Sequence, residues 1–305
     1  MNVIITGGGG FLGSSIVKKL IEENHKVLVF SKNFENIKDY LDKCEIVSSY
    51  IDELHVHEQK IIDFTPDIII HFGWSGGNNN ADINESKQFF DNVPHSILFL
   101  ESINKLNKKP KFIGVGSFAE YGDDPIIYLE NYTEKPKNFY GLSKKIFREY
   151  SEMFCEQNSI DWVWIRPCFI YGPNDVSTRI IPKVINKMIK SEIVHLDDCE
   201  VFIDYLYIDD FSDLVYKLLV SKNVGIYNIC SGKKYALKDI INKIKELINS
   251  KSELIFDKNI NKKDKRKIIC GNDLKIKLVT DKKKYIDLEK GLELTINHIK
   301  NQNKK

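Results

Sequence analysis

The stretch "NVIITGGGGFLGSSIVKKLIEE", residues 2–23, joins a short apolar run to an amphipathic segment through four consecutive glycines. The run "NVIIT" (2–6) is rich in β-branched residues, as buried parallel strands are. In "SSIVKKLIEE" (14–23) the apolar residues recur at helical spacing. The stretch therefore predicts a strand, a tight turn and a helix, which is the first unit of an α/β fold.

The same alternation of strand and helix patterns continues through the first half of the chain. Two further amphipathic segments, at 93–106 and 143–158, predict helices. The other strand-like runs are "KVLVF" (26–30), "DIIIHF" (67–72), "KFIGVGS" (111–117) and "DWVWIRP" (161–167). This alternation predicts an α/β protein with a Rossmann-type doubly wound parallel sheet.

The pattern loosens after about residue 168, which indicates a smaller C-terminal lobe built mainly from helices. We predict a Rossmann domain over residues 1–167 with a returning segment near 200–230. The lobe takes residues 168–199 and 231–300, and residues 301–305 form a tail. A two-lobed α/β protein binds its ligand in the cleft at the carboxyl ends of the strands.

Composition narrows the class of protein. The chain has 305 residues, 42% of them hydrophobic, and its 45 basic and 43 acidic residues nearly cancel, which argues against a nucleic-acid or membrane partner. A locally basic run, residues 258–267, is either a solvated loop or a contact for an anionic ligand such as a diphosphate. No signal peptide is visible, and six widely spaced cysteines lack metal-ligand spacing. We expect buried, reduced thiols in a cytoplasmic protein without a metal.

The glycine turn itself predicts a dinucleotide site. Its glycines fit both G-x-x-G-x-x-G and G-x-G-x-x-G, directly after a strand and directly before a helix. Such a turn lets a pyrophosphate approach the free N–H groups at the helix start. The alternative is a glycine turn that only packs helix against strand. The predicted cofactor contacts here are Gly7, Gly10, Phe11, Leu12 and Gly13.

The end of the second strand bears on which dinucleotide binds. An NAD site usually offers an acid there to the ribose hydroxyls, but this chain has Ser31 and Lys32. A hydroxyl and an ammonium suit a 2′-phosphate, so NADP(H) is favoured, while NAD(H) stays possible because Lys32 could equally be solvent-exposed.

"FYGLSKK" (139–145) places Tyr140 and Lys144 one helical turn apart. Tyr140 is the only one of 14 tyrosines followed by Lys at that distance, although a chance pair is a fair alternative in a lysine-rich chain. An ammonium at that spacing favours the phenolate, so we expect it to lower the tyrosine pKa from about 10.

Seven segments of the chain, from the glycine turn to the last helix, resemble the extended short-chain dehydrogenase/reductases, in particular the branch of nucleotide-sugar epimerases, dehydratases and reductases. The resemblance implies that Ser117, Tyr140 and Lys144 are catalytic, that Gly73 and Pro167 contact the cofactor, and that Lys144 holds the nicotinamide ribose. It also implies a homodimer formed by the helices near 93–106 and 143–158. The segments that carry it, in the family's order, are "TGGGGFLG" (6–13), "DIIIHFGW" (67–74), "GSFAEYGD" (116–123), "YGLSK" (140–144), "RPCFIYGP" (166–173), "FIDYLYIDD" (202–210) and "YIDLEKGLELTI" (285–296).

Other residues have two open roles each. His71 is either a functional residue or a hydrogen-bonded histidine of the fold, and Asn92 either a family position or a helix N-cap. Arg166 either contacts ligand or braces a strand end. Arg179 and Arg266 are candidate contacts for a substrate phosphate, since Ile203 stands where many members of the family have arginine.

The departures from the family pattern narrow the reaction. Dehydratases usually follow the catalytic hydroxyl residue with Asp-Glu, but here Phe118 and Ala119 follow Ser117, and neither exchanges a proton. The resemblance then favours NADPH-dependent reduction of a nucleotide-linked 4-keto-6-deoxysugar, in deoxysugar biosynthesis for surface polysaccharide. The alternatives are an NAD-dependent nucleotide-sugar 4-epimerase and a cofactor-binding protein without catalysis.

Overall fold

A seven-stranded parallel sheet forms the centre of the computed structural model, which describes residues 1–76, 82–123, 127–257 and 268–303. The strand order is β12-β7-β5-β4-β1-β2-β3, so the chain winds outward from β1 in both directions. The strands are β1 Asn2–Thr6, β2 Lys26–Ser31, β3 Glu45–Ser48, β4 Ile68–His71, β5 Lys111–Val115, β7 Trp162–Pro167 and β12 Gly225–Ile229. All neighbouring pairs are parallel, which confirms the predicted doubly wound sheet.

Helices cover both faces of the sheet, because successive strand residues point to opposite sides. Val3 and Ile5 pack into one apolar cluster, and Ile4 between them packs into the other. The helices are α1 Phe11–Glu22, α2 Glu58–Phe64, α3 Lys87–Phe90, α4 Val93–Ile103, α5 Phe139–Gln157, α6 Ile180–Ile189, α7 Ile208–Val220, α8 Leu237–Ile248, α9 Leu274–Thr280 and α10 Leu288–Gln302. In the described part of the chain, none of the helices has both the length and the apolar character needed to cross a bilayer.

Short strands in the second half of the chain form smaller sheets. The first of these sheets has the order β13-β10-β15-β6, and the pairs β8–β11 and β9–β14 stand apart from it. These strands are β6 Ile127–Tyr128, β8 Phe169–Tyr171, β9 Val194–Asp197, β10 Phe202–Ile203, β11 Tyr205–Tyr207, β13 Tyr235–Ala236, β14 Leu254–Asp257 and β15 Ile268–Gly271. The division of the chain at residue 167 stays a prediction.

The five predicted strands of the large sheet are present, but the sheet has two more. β3 was missed because alternate residues of this short edge strand are exposed, and β12 because it begins with glycine and contains Asn228. All six cysteines are free thiols, and four of them are buried as expected. Cys44 and Cys168 are partly exposed, so that expectation is wrong for these two.

Candidate active site

The glycine turn after β1 is shaped by close approaches that exclude side chains. Gly7 has φ +68°, a left-handed conformation that glycine adopts without strain. A Cβ on Gly9 would lie 1.6 Å from the carbonyl oxygen of Asn33, and Asn36 donates a hydrogen bond of 3.0 Å to the carbonyl oxygen of Gly9. The backbone is therefore bare on this side and is held against the segment that follows β2.

Helix α1 starts at this turn with free donors. Its N-cap, Gly10, offers no side-chain hydrogen bond, and the first turn carries no acidic residue. The first N–H groups of a helix lack acceptors within it, and the helix dipole favours an anion there. These features fit the diphosphate of a dinucleotide.

A cleft of about 760 Å³ runs from this turn across the carboxyl ends of the strands. The residues predicted for the cofactor and substrate that line it are Gly7, Gly10, Phe11, Leu12, Gly13, Ser31, Lys32, Gly73, Tyr140, Lys144 and Arg179. Ser117 and Pro167 are not among its lining residues in the described part of the chain. Arg266 and the basic run 258–267 lie outside the described residues.

Tyr140 and Lys144 lie on one face of the first turns of α5, which Asn138 caps by accepting a 2.7 Å hydrogen bond from the Gly141 N–H. The Lys144 Nζ atom lies 5.9 Å from the Tyr140 ring centroid and donates a 2.8 Å hydrogen bond to the carbonyl oxygen of Val115. Helix α5 thus delivers both side chains to the carboxyl end of β5.

The electrostatics of this pair differ from the sequence-based expectation. Burial lowers the pKa of Lys144 to about 7, against an opposing effect of Glu120. The Tyr140 side chain is partly exposed to the cleft, but desolvation raises its pKa, and a hydrogen bond with Ser117 lowers it only in part. The expectation of a lowered Tyr140 pKa is therefore wrong, because the effect of burial outweighs that of the neighbouring charges.

Ser117 is fixed in the turn that follows β5. Its Oγ accepts a 3.1 Å hydrogen bond from the Ala119 N–H, and its own N–H donates a 2.8 Å bond to Glu120 Oε1. Ser117 acts on the pKa of Tyr140, and Lys144 lies 5.9 Å from the Tyr140 ring, so the three side chains lie close together. Their catalytic roles stay a prediction.

A buried ion pair stands directly behind this turn. Arg166, fully buried at the end of β7, donates a 2.8 Å hydrogen bond from Nε to Glu120 Oε2 and one of 3.0 Å from Nη1 to the Tyr121 hydroxyl. It also pairs with Glu134. Of its two open roles, the structure supports bracing, because Arg166 ties β7 to the Ser117 turn.

The roles of two further residues are now clear. His71 is buried between Thr6, at 2.7 Å, and Ser96, at 3.0 Å, and burial lowers its pKa to about 3, so it is a neutral histidine of the fold. Asn92 occupies the N-cap position of α4, one of its two open roles, but its side chain makes no capping hydrogen bond. Its side chain accepts from the Ser75 N–H at 2.6 Å and donates to the Ser75 carbonyl oxygen at 3.2 Å.

Arg179 reaches the cleft from the second half of the chain. It pairs with Asp175 at 3.3 Å, and its guanidinium carbon lies 5.8 Å from the Phe11 ring centroid, beside the start of α1. Burial raises the pKa of Asp175 to about 6, although Arg179 opposes this effect. Arg179 therefore brings a positive charge close to the glycine turn.

Sequence reasoning missed several residues of the cleft. Glu35 and Asp52 line it beside Ser31 and Lys32, so carboxylates accompany the ammonium at this end. Trp74 lines the other end, next to Tyr140. Trp74 could have been noticed in the sequence. Residues 71–74 read His-Phe-Gly-Trp, whereas the family often has His-Leu-Ala-Ala at this place.

A dinucleotide-type glycine turn and a Tyr-Lys pair at one cleft, with a serine close to the tyrosine, are typical of an NAD(P)-dependent enzyme of the short-chain dehydrogenase type. The family model described as the NAD dependent epimerase/dehydratase family matches residues 3–230, and the chain belongs to that family.

Relatives and solved structures extend this match. A dTDP-6-deoxy-L-talose 4-dehydrogenase (NAD(+)) of Aggregatibacter actinomycetemcomitans is 27% identical over 79% of this chain and 88% of its own. A putative UDP-glucose 4-epimerase of Methanocaldococcus jannaschii is 28% identical over 99% of both chains. The crystal structure of a Thermotoga maritima UDP-glucose 4-epimerase with UDP-glucose covers 99% of this chain and 100% of its own, at 23% identity and a TM-score of 0.90. The protein is thus an NAD(P)-dependent enzyme of a family that modifies nucleotide sugars.

Proposed function

We propose that the protein reduces the 4-keto group of a nucleotide-linked 4-keto-6-deoxysugar, with NADPH as the favoured donor. The observation that carries the proposal is the Tyr140–Lys144 pair at the cleft with Ser117 close to Tyr140. The two residues after Ser117, Phe118 and Ala119, have no ionisable side chain. Phe118 is buried in an apolar cluster with Tyr121, and the one carboxylate of this turn, Glu120, is fully buried and paired with Arg166, so the turn supports no acid for a dehydration. A similar protein named as a 4-dehydrogenase of a nucleotide-linked 6-deoxysugar supports chemistry at the same carbon.

The roles of the three residues follow from their positions. A bound dinucleotide supplies the hydride that the carbonyl carbon accepts. Tyr140 donates its phenol proton to the carbonyl oxygen, and the Ser117 hydroxyl hydrogen-bonds the same oxygen. Lys144 stabilises the phenolate that remains and offers a donor to the ribose. The carbonyl thus gains one hydride and one proton and becomes an alcohol.

The preference for NADPH rests on the end of β2. Lys32 is exposed, lines the cleft and has no carboxylate partner among the described residues, so its ammonium is available to a 2′-phosphate. Glu35 and Asp52 lie on the same wall and would repel that phosphate, which limits the preference.

The test is cofactor consumption by the purified protein. The protein is mixed with a panel of nucleotide-linked 4-keto-6-deoxysugars, and the absorbance of NADPH is followed. We expect one mole of NADPH to be oxidised per mole of sugar reduced, and kcat/KM to be lower with NADH than with NADPH. No consumption of either cofactor, with NAD released on denaturing the protein and interconversion of sugar epimers, would replace the reductase by a 4-epimerase. Cofactor binding without turnover of any sugar would indicate a binding protein.

The nucleotide sugar is proposed to contact the lobe formed by residues 168–199 and 231–300. Arg179 is the described cation of this lobe that already lines the cleft, and Arg266 stays a candidate outside the described residues. A guanidinium suits a diphosphate because it donates two parallel hydrogen bonds.

A homodimer is proposed from an exposed apolar surface on α4 and α5. Leu142 and Met153 are 40% and 61% exposed and lie about three turns apart on one face of α5, while Leu98 of α4 is 42% exposed. A 3.0 Å hydrogen bond from the Tyr150 hydroxyl to Glu101 joins the two helices on this side. Exposed apolar side chains on neighbouring helices are typical of a contact between subunits.

Light scattering checks this proposal. We expect the mass of two chains for the parent protein and of one chain for Met153→Glu at low protein concentration, because a buried charge would face an apolar partner. Leu278, 86% exposed on α9, supplies the control, and Leu278→Glu should leave the dimer intact. A parent protein with the mass of one chain would exclude the dimer.

A further inference from the structure

Trp74 touches both members of the Tyr140–Lys144 pair at once. The Lys144 Nζ atom lies over the indole, 3.6 Å from the ring centroid. The Tyr140 ring meets the same indole edge-on, at 6.4 Å between centroids and an angle of 88°. An ammonium above an indole face is the strongest common cation–π arrangement in proteins.

The position of this indole is built by buried hydrogen bonds. Its Nε1 donates a 3.0 Å bond to Gln88 Oε1, and Gln88, only 1% exposed, donates a further 2.9 Å bond to the Gly76 carbonyl oxygen. Asn92 holds both backbone groups of Ser75. Helices α3 and α4 therefore fix the segment that carries the indole.

We propose that Trp74 is a positioning residue, whose π face keeps Lys144 charged and directed at Tyr140 so that the tyrosine can exchange its proton. This inference rests on the proposed function in one respect, namely that Tyr140 and Lys144 act together. It adds a residue that meets both of them and comes from the segment after β4, not from α5.

The surroundings of Lys144 explain why such a face matters. Lys144 is 4% exposed, and burial favours loss of its charge. The carboxylate of Glu120, in the turn after β5, opposes that loss. His71, at the end of β4, is neutral, and His95 of α4 also lines the cleft. Val115 offers its carbonyl oxygen at 2.8 Å, so the indole is a second favourable contact for the ammonium.

Removal of the indole should therefore change the pKa of Tyr140 in a definite direction. Without the indole the ammonium of Lys144 is less favoured, and the phenolate of Tyr140, which depends on that charge, is less favoured too. The pKa of Tyr140 should then rise, and proton exchange with the substrate should slow.

The experiment compares Trp74→Leu with Trp74→Phe. Ionisation of Tyr140 is followed by phenolate absorbance in protein stripped of dinucleotide, with Tyr140→Phe in each background subtracted. We expect Leu to raise the pH of ionisation by roughly half a unit to one unit and to lower kcat about tenfold. Trp74→Phe keeps an aromatic face, so the pH of Tyr140 ionisation and kcat should both stay close to those of the parent protein. If the indole only fills space, Trp74→Leu should lower the unfolding temperature and leave the ionisation of Tyr140 unchanged. That result would overturn the proposal.

A second variant covers the case in which Trp74→Leu does not fold. Gln88→Leu removes the acceptor of the indole N–H and should move Tyr140 ionisation in the same direction by a smaller amount. An unchanged ionisation in that variant would also overturn the proposal. Because the absorbance needs no substrate, a shift without turnover of any sugar would contradict the reductase alone, and reductase activity with no shift would contradict the role of Trp74 alone.

Discussion

Replacing Tyr140 with Phe is expected to lower kcat by roughly 10²–10⁴-fold while the affinity for NADPH stays within about twofold. The ring and its contact with Trp74 are retained, so the variant removes only the hydroxyl whose pKa Ser117 influences. The loss should fall on kcat, because the proton reaches the carbonyl oxygen in the transition state. Steady-state kinetics and quenching of NADPH fluorescence measure the two quantities.

The matched control is Tyr150→Phe on the same helix. The Tyr150 hydroxyl bonds Glu101 at 3.0 Å on the side of α5 that carries the proposed dimer surface, so its removal should leave kcat within about twofold. Full activity of Tyr140→Phe would remove the proposed role of this tyrosine. Equal losses in both variants would point to damage of α5 instead.

Arg166→Met is expected to lower the free energy of unfolding by about 3–5 kcal/mol. The substitution leaves Glu120, which is fully buried, without the guanidinium that neutralises it, and an uncompensated buried charge is costly. Because native domains are stable by only about 5–15 kcal/mol, this is a large part of the total. Denaturation in urea, followed by circular dichroism, measures it.

Two variants separate this cause from general damage. Glu120→Gln combined with Arg166→Met removes both charges and should recover part of the loss, since a neutral amide costs less to bury than a carboxylate. Lys105→Met breaks an exposed ion pair with Glu58, where Lys105 is 63% exposed, and should change stability by about 0.5 kcal/mol or less. A loss near 0.5 kcal/mol for Arg166→Met as well would mean that the buried pair is not needed.

Stability and function should be linked at Arg166. Glu120 also accepts the hydrogen bond of the Ser117 N–H, so the ion pair holds the turn that positions the Ser117 hydroxyl. Arg166→Met should therefore lose activity even at temperatures where it is folded, because a small misplacement of a hydrogen-bond donor weakens its effect in the transition state.

Local features of the sequence were sufficient to predict five of the seven strands of the large sheet and the position of its glycine turn. Strand β1, the turn and α1 follow one another without interruption, so β-branched residues, glycines and helical spacing identify them directly. Tyr140 and Lys144 are also local, because one helical turn separates them on α5. Strand β3 escaped prediction because half of its residues are exposed at an edge of the sheet, where the pattern of a buried strand is absent.

The sequence by itself determined the fold class, the glycine turn and the Tyr140–Lys144 spacing, since each depends on residues that are close along the chain. Only the tertiary structure decided what surrounds them. Trp74 reaches Lys144 from beyond β4, and Arg166 reaches Glu120 from β7, because parallel strands bring distant segments together at their carboxyl ends. The raised pKa of Tyr140 has the same origin, because desolvation depends on everything packed around the hydroxyl, and spacing along the chain does not reveal it.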